Sequence, residues 1–230
     1  MKLSSLSVFF PAFNDEKTIP VLIKKACILL PKIANNFEII IVNDGSKDGT
    51  AAVLKRLEGK MPYLRVVTHK VNKGYGAALK SGFRTAKKNF VFYTDGDGQY
   101  DFNELKNLVV KMKNGVDMVN GYKINRADSV FRIVCGELYS KFIKLIFGLK
   151  IKDVDCDFRL IRKKVFKKIK LKKNSGAICV ELIKKIQDAG FKIVEVPVHH
   201  YPRLSGRSTF FNPLSVIKTF IDDLSVFLEA

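Results

Sequence analysis

Cysteine and histidine are scarce in this chain of 230 residues. Its four cysteines, at positions 27, 135, 156 and 179, are far apart and form no CxxC pair. That spacing excludes a zinc ribbon and a disulfide framework, and it suits a reducing, cytoplasmic compartment. The three histidines, His69, His199 and His200, show no metal-ligand spacing. Neighbouring His199 and His200 would point to opposite faces of a strand, so no histidine metal site is expected. Long apolar runs are missing too. The N-terminal stretch 6–13 is interrupted by Pro11, is followed by Asn14, Asp15 and Glu16, and has no small-residue cleavage site, so it does not read as a signal peptide. Later runs are broken by charges such as Lys144 before the roughly 18–20 residues that a membrane span needs. The chain is therefore not expected to cross a bilayer by itself.

Negative charge is also in short supply, since 22 Asp and Glu face 41 Lys and Arg, a net charge of +19. Such a surface favours anionic partners: nucleic acid, a phosphorylated substrate or a membrane surface. A nucleic-acid-binding protein is disfavoured, because the basic residues are not interleaved with an aromatic stacking platform and acidic segments would repel phosphate. With 47% hydrophobic residues the chain can bury one sizeable core.

Short β-rich runs alternate with longer stretches of helical period, the pattern of a parallel sheet with crossover helices. Strands are expected at 6–13, 37–43, 64–69, 89–94 and 116–121, with helices at 16–34, 49–59, 75–88 and 102–114. The second half shows an amphipathic basic stretch at 129–150, a helix at 177–189, a strand at 192–199 and a helix at 213–228. The expectation is an α/β fold with an open, Rossmann-like, mainly parallel sheet, in one domain spanning 1–230. Its ligands would sit beyond the carboxyl ends of the strands.

Three strand ends carry polar clusters that would converge there: 11–16, 43–46 and 95–99. Asp95 and Asp97 follow the apolar run Phe90-Val91-Phe92-Tyr93, and two carboxylates one residue apart can lean toward one cation, with Gln99 in reach. Hard oxygen ligands suit Mg²⁺ or Mn²⁺, which would neutralise charge on a departing diphosphate. A calcium loop of the EF-hand type would want Gly and Glu where Tyr100 and Lys106 stand. A phosphatase of the haloacid dehalogenase class, the alternative outside transferases, would continue Gly-Thr where this chain has Gly98-Gln99.

Four segments, Pro11 to Glu16, Val42 to Thr50, Asn72 to Leu79 and Thr94 to Gln99, resemble family 2 glycosyltransferases in order and spacing. The resemblance continues through Asp153 to Leu160 and Glu195 to Val198, and it is closest to the branch of dolichol-phosphate mannose synthase and bacterial polyprenyl-phosphate glycosyltransferases. It implies a GT-A type fold and inverting transfer from a UDP- or GDP-sugar, assisted by Mg²⁺ or Mn²⁺. The acceptor it implies is a polyprenyl phosphate, dolichyl or undecaprenyl, with a sugar hydroxyl of a polysaccharide or glycolipid as the alternative.

By the same resemblance, Pro11, Ala12, Phe13, Asn14, Glu16, Lys73, Asp95 and Gly96 line the nucleotide-sugar site, and Asp44 accepts from the base. Asp95, Asp97 and Gln99 are the metal candidates. An acid of the 153–157 segment approaches the acceptor, either Asp157 or Asp155. Lys123, Arg126, Arg132, Arg203 and Ser208 are candidates for acceptor phosphate, as the planar Arg fork can engage phosphate with two hydrogen bonds.

Residues 1–123 would then form the nucleotide-sugar half and 124–230 the acceptor and membrane-proximal half. Val130, Val134, Leu138, Phe142, Leu145 and Leu149 recur at helical spacing among basic residues, as do the apolar residues of 213–228. Helices of this kind can lie on an anionic membrane surface, here the inner face of the membrane, or can simply cover the core. An integral membrane partner and a homo-oligomer stay open.

Overall fold

A computed structural model of the chain describes residues 2–127, 130–203 and 213–228. Seven strands, β1 (Leu6–Ala12), β2 (Phe37–Asn43), β3 (Leu64–Thr68), β4 (Phe90–Thr94), β5 (Met118–Ile124), β6 (Phe158–Arg162) and β7 (Ile193–His199), form one sheet in the order β3-β2-β1-β4-β6-β5-β7. Neighbours are parallel except at β6, which runs antiparallel to both β4 and β5. The sheet is mainly parallel, as expected, with β6 its one antiparallel member. Segment 153–162 supplies a strand that the periodicity did not announce.

The helices are α1 (Ile19–Ile33), α2 (Thr50–Glu58), α3 (Tyr75–Thr85), α4 (Leu105–Lys111), α5 (Val130–Phe147), α6 (Ile178–Asp188) and α7 (Pro213–Leu228). Strands buried on both faces alternate between two cores. Val8, Phe10, Ile39 and Ile41 pack toward α1 and α4, while Phe9, Ile40 and Val42 pack toward α3, α5 and α6. Gly82 of α3 is placed where a Cβ would come within 2.4 Å of the Phe9 ring, so this helix lies close on the sheet and fixes the loop before it.

In α5 the residues turned to the core are Ile143 and Phe147, whereas Val134, Leu138, Phe142 and Leu145 are exposed. Helix α7 buries Thr219, Asp223 and Val226 and exposes Phe220, Ile221, Leu224 and Phe227. The Phe142 and Phe220 rings stack at 6.3 Å, which joins the two exposed faces. Among the described residues no helix is long and apolar enough to cross a membrane.

Behind this face Tyr139 donates its O–H to Asp223 Oδ2 at 2.5 Å, and Asp223 Oδ1 is buried with no hydrogen-bond partner. Burial, against the Tyr139 O–H and with help from Asp155, pushes the Asp223 carboxyl up to about 7. Because an unfolded Asp titrates near 3.9, the folded chain binds the extra proton between these values. Stability from this group is then full below pH ~4 and is lost as pH rises through ~7. Asp223→Asn is expected to gain on the wild type over that window, by on the order of 2 kcal/mol or more. Urea unfolding of both proteins from pH 4 to 8 checks this; a difference independent of pH would contradict it.

Candidate active site

Two loops at the carboxyl end of the sheet are sewn together by side chains. Asn14, at φ 59, turns the chain after β1 in a left-handed conformation that Asn tolerates better than most residues. Its amide donates to Ser46 Oγ at 3.0 Å and its Oδ1 accepts from Lys47 N–H at 2.8 Å. Asp15 N–H donates to Thr50 Oγ1 at 3.0 Å, and Glu16 Oε2 accepts from Gly49 N–H at 2.8 Å. Asn14 and Glu16, expected at the nucleotide pocket, thus use these side-chain oxygens to shape its wall. Pro11 and Ala12 are buried in β1 and Phe13 is half-buried at its end.

Asp44, at the end of β2, is 3% exposed. Its Oδ1 accepts from Lys73 N–H at 2.9 Å and contacts His69 Nδ1 at 2.6 Å, while Oδ2 accepts from Gly74 N–H at 2.9 Å. A carboxylate offers about four acceptor sites. Three hold this loop in place, which leaves one for an external N–H. Gly45, at φ +69, has backbone of Val71 and Asn72 within 2.4 Å of where a Cβ would stand, so only glycine lets the 71–74 loop approach.

The acidic motif after β4 lies against β1. A Cβ on Gly96 would be 2.5 Å from the Pro11 carbonyl oxygen, so this glycine is what allows the turn. Asp95 Oδ1 accepts from Tyr75 O–H at 2.6 Å. Asp97 Oδ1 accepts from Gln99 N–H at 3.0 Å, and its Oδ2 is 2.8 Å from Arg203 Nη2. Burial holds the Asp95 carboxyl well above the ordinary range, with Asp157 and Asp97 adding repulsion. Burial also raises Asp97, against the pull of Arg203. Nearby Asp15 is pushed up to about 6, by burial first and with Asp97 contributing.

Crowded, desolvated carboxylates of this kind are what a divalent cation relieves. No group of three His, Cys, Asp or Glu side chains among the described residues is arranged to hold an ion alone. A cation here would therefore take Asp95 and Asp97 and complete its shell with phosphate and water, the habit of Mg²⁺ and Mn²⁺ at phosphate sites. Gln99 uses one N–H of its Nε2 to donate to the Tyr201 carbonyl at 3.1 Å, which leaves its amide oxygen as the atom a cation could take.

The third cluster precedes β6. Asp157 Oδ1 accepts from Tyr93 O–H and Arg159 Nη1, both at 3.1 Å. Arg159 is fully buried; its Nε donates to Asn120 Oδ1 at 2.9 Å and its Nη2 to the Val154 carbonyl. Asp155 is pushed up to about 6 by burial, which outweighs the attraction of Lys123. Asp153 is half-buried, and there Lys123 wins and holds its carboxyl below the usual range.

The basic residues expected at acceptor phosphate divide. Lys123 Nζ donates to the Asp155 carbonyl at 2.7 Å and pairs with Asp153 at 3.4 Å, so it fastens the acidic loop. Arg203 reaches the acidic motif directly through Asp97. The Arg126 guanidinium lies beside Gly136 of α5, 3.5 Å from where a Cβ would stand. Ser208 and the side chain of Arg132 lie outside the described residues.

Sequence reasoning missed Tyr75, Tyr93, Asn120, His69 and Arg159, which hold the acids. One signal was available: Asp157 and Arg159, two apart in an extended segment, face the same side and can pair.

A mainly parallel sheet with one antiparallel strand, helices on both faces and an acid pair beyond β4 is the architecture of a GT-A glycosyltransferase. The solved structures most like it include glucosyl-3-phosphoglycerate synthase from Mycobacterium tuberculosis in complex with Mn²⁺, UDP-glucose and phosphoglyceric acid. That likeness has a TM-score of 0.74 at 18% identity and covers 97% of this chain and 80% of that one. The same enzyme with UDP gives 0.71 at 18% identity, over 97% and 80%.

The family model described as Glycosyl transferase family 2 matches residues 7–170, and the chain belongs to that family. Its curated relatives include an undecaprenyl-phosphate 4-deoxy-4-formamido-L-arabinose transferase from Aeromonas hydrophila, 31% identical over 70% of this chain and 49% of the relative. One of the same description from Shewanella sediminis is 27% identical over 89% of this chain and 61% of the relative. The chain thus spans about half to three fifths of their length.

Proposed function

We propose that the chain is a metal-dependent, inverting transferase moving a sugar from a UDP- or GDP-sugar to a polyprenyl phosphate, dolichyl or undecaprenyl. The observation that carries this reading is the crowding of Asp95 and Asp97, with Arg203 on Asp97 and Asp157 within electrostatic reach. Asp95 and Asp97 hold Mg²⁺ or Mn²⁺, which neutralises the diphosphate as it leaves. Asp44 accepts from the base N–H, and the 11–16 loop walls the nucleotide pocket. Arg203 turns from Asp97 to phosphate.

Asp157 favours a phosphate acceptor over a sugar hydroxyl. A hydroxyl nucleophile needs a free base, whereas a phosphate is already anionic. Asp157 is clamped by Tyr93 and Arg159, an arrangement suited to orienting groups rather than to carrying protons away. The names of the curated relatives support the same acceptor class.

In this reading residues 1–123 form the donor half and 124–230 the acceptor half of one domain. The joined exposed faces of α5 and α7, with Lys141 and Lys218 exposed among them, rest on an anionic membrane surface at its cytoplasmic side. An integral membrane partner or a second copy would have to share that face, and nucleic acid has no role.

The test is direct. The purified protein is incubated with Mn²⁺ or Mg²⁺, a panel of labelled UDP- and GDP-sugars and polyprenyl phosphate, and label is counted in the organic phase. Metal-dependent label in lipid is expected from at least one donor. Transfer only to a soluble glycan, or to no acceptor, would overturn the lipid phosphate reading.

A further inference from the structure

A polar recess of ≈ 360 Å³ opens between β3 and α3 at the edge of the sheet. Its position follows from local geometry. Val67 and His69, two apart in extended chain, face the same side, and Ala77, Lys80, Ser81 and Arg84 recur at three- and four-residue spacing on α3. Lys73 closes the rim. No carboxylate lines it, and neither the 95–97 motif nor the 11–16 loop contributes to it.

The floor is built rather than incidental. His69 is 9% exposed and Ser81 5% exposed, and His69 Nε2 lies 2.9 Å from Ser81 Oγ. The rim is cationic. Lys80 is anchored by donating to the Lys172 carbonyl at 2.6 Å, which leaves two N–H groups, and burial pulls its ammonium pKa down. The Lys73 ammonium and the Arg84 guanidinium make no hydrogen bond or ion pair with any described residue. Three cations around a hydroxyl and an imidazole outnumber the acids nearby, Asp44 behind His69 and Glu181 within electrostatic reach of Lys80, and form a site for a compact polyanion.

We propose that this recess binds a small phosphate-bearing anion and that its occupancy alters donor affinity. The connection is Asp44. Its Oδ1 holds both His69 Nδ1 at 2.6 Å and Lys73 N–H at 2.9 Å, so a ligand that engages Ser81, the partner of His69 Nε2, and the Lys73 side chain acts on both partners of one oxygen. The coupling rests on the reading of Asp44 as the base acceptor; the anion site itself does not.

The probe is inorganic pyrophosphate, titrated calorimetrically in EDTA into the full chain and into the double variant Lys80→Gln/Arg84→Gln. Neither residue belongs to the donor or acceptor machinery. Removing two charge-assisted contacts is expected to weaken pyrophosphate binding by at least about tenfold, with circular dichroism unchanged. Metal-dependent nucleotide-sugar affinity of the double variant should match the wild type, and added pyrophosphate should shift it in the wild type alone. Equal pyrophosphate binding by both proteins, or none by the wild type at millimolar concentration, overturns the site. A pyrophosphate site without a shift in donor affinity overturns the coupling. Failure of every nucleotide sugar to bind would instead strike the donor reading and leave the pyrophosphate result standing.

Discussion

Asp97→Asn is expected to lower metal-dependent sugar transfer by about 10³-fold while the protein still folds, because losing a cation's stabilisation of leaving-group charge forfeits several kcal/mol. The substitution is nearly isosteric, and the amide oxygen can still accept from Gln99 N–H, the contact that shapes the turn. What disappears is the charge that faces Arg203 at 2.8 Å. Arg203 is 27% exposed in its side chain, so water can solvate it once Asp97 is neutral. Circular dichroism and urea unfolding should therefore change little. Turnover measured across a Mn²⁺ titration separates the causes: a variant that recovers at high Mn²⁺ has weaker metal affinity, and one that stays inactive has lost the geometry. Wild-type activity at ordinary Mn²⁺ would remove Asp97 from the metal site.

Arg203 gives that experiment a second use. The guanidinium lies 2.8 Å from Asp97 Oδ2, so under the proposed function a cation on that oxygen would compete with Arg203. A donor diphosphate would resolve that competition by offering Arg203 a better partner, since a phosphate accepts the guanidinium fork at two oxygens. In this scheme metal and donor bind together more favourably than separately, and the buried acids around them start in a repelled state that binding relieves.

The first five strands and the four helices between them were readable because β2 and β4 end at runs of Gly, Asp and Asn, and because the buried strands are dominated by apolar residues. The convergence of 11–16, 43–46 and 95–99 was readable from topology alone. Strand β6 was not. Its sequence Phe158-Arg-Leu-Ile-Arg162 carries two arginines, and charge in a short run argues for surface, whereas Arg159 is fully buried by pairing with residues far away in sequence. Its insertion between β4 and β5 is a long-range choice that no local pattern encodes.

The apolar stripe of 129–150 was readable as amphipathic, but its direction was not. The core takes Ile143 and Phe147 and leaves Leu138, Phe142 and Leu145 outside, because a helix with apolar residues on several sides has no single inward face in sequence. Lys123, read from sequence as an acceptor-phosphate candidate, shows a second kind of gap: its contacts with Asp153 and the Asp155 carbonyl are long-range and no local pattern announces them.

Arg159→Met is expected to destabilise the protein by about 3–5 kcal/mol, the cost of removing one partner of a buried charged network. Arg159 has no exposed surface, and its donors serve Asn120, Tyr93, Asp157 and the Val154 carbonyl. Methionine fills part of the volume but satisfies none of these acceptors, and Asp157 is left as a buried carboxylate without its cation. Lysine keeps the charge yet cannot reproduce the fork, so Arg159→Lys should fall between the two. Neutralising the orphaned acid should restore part of the loss, so Arg159→Met/Asp157→Asn should be more stable than Arg159→Met alone. Urea midpoints of the three variants at neutral pH measure this order. A Met variant within about 1 kcal/mol of the wild type would mean that the network is not a significant stabiliser. Tyr93 and the Asp157 loop would then have to be held by the two cores on either side of the sheet instead.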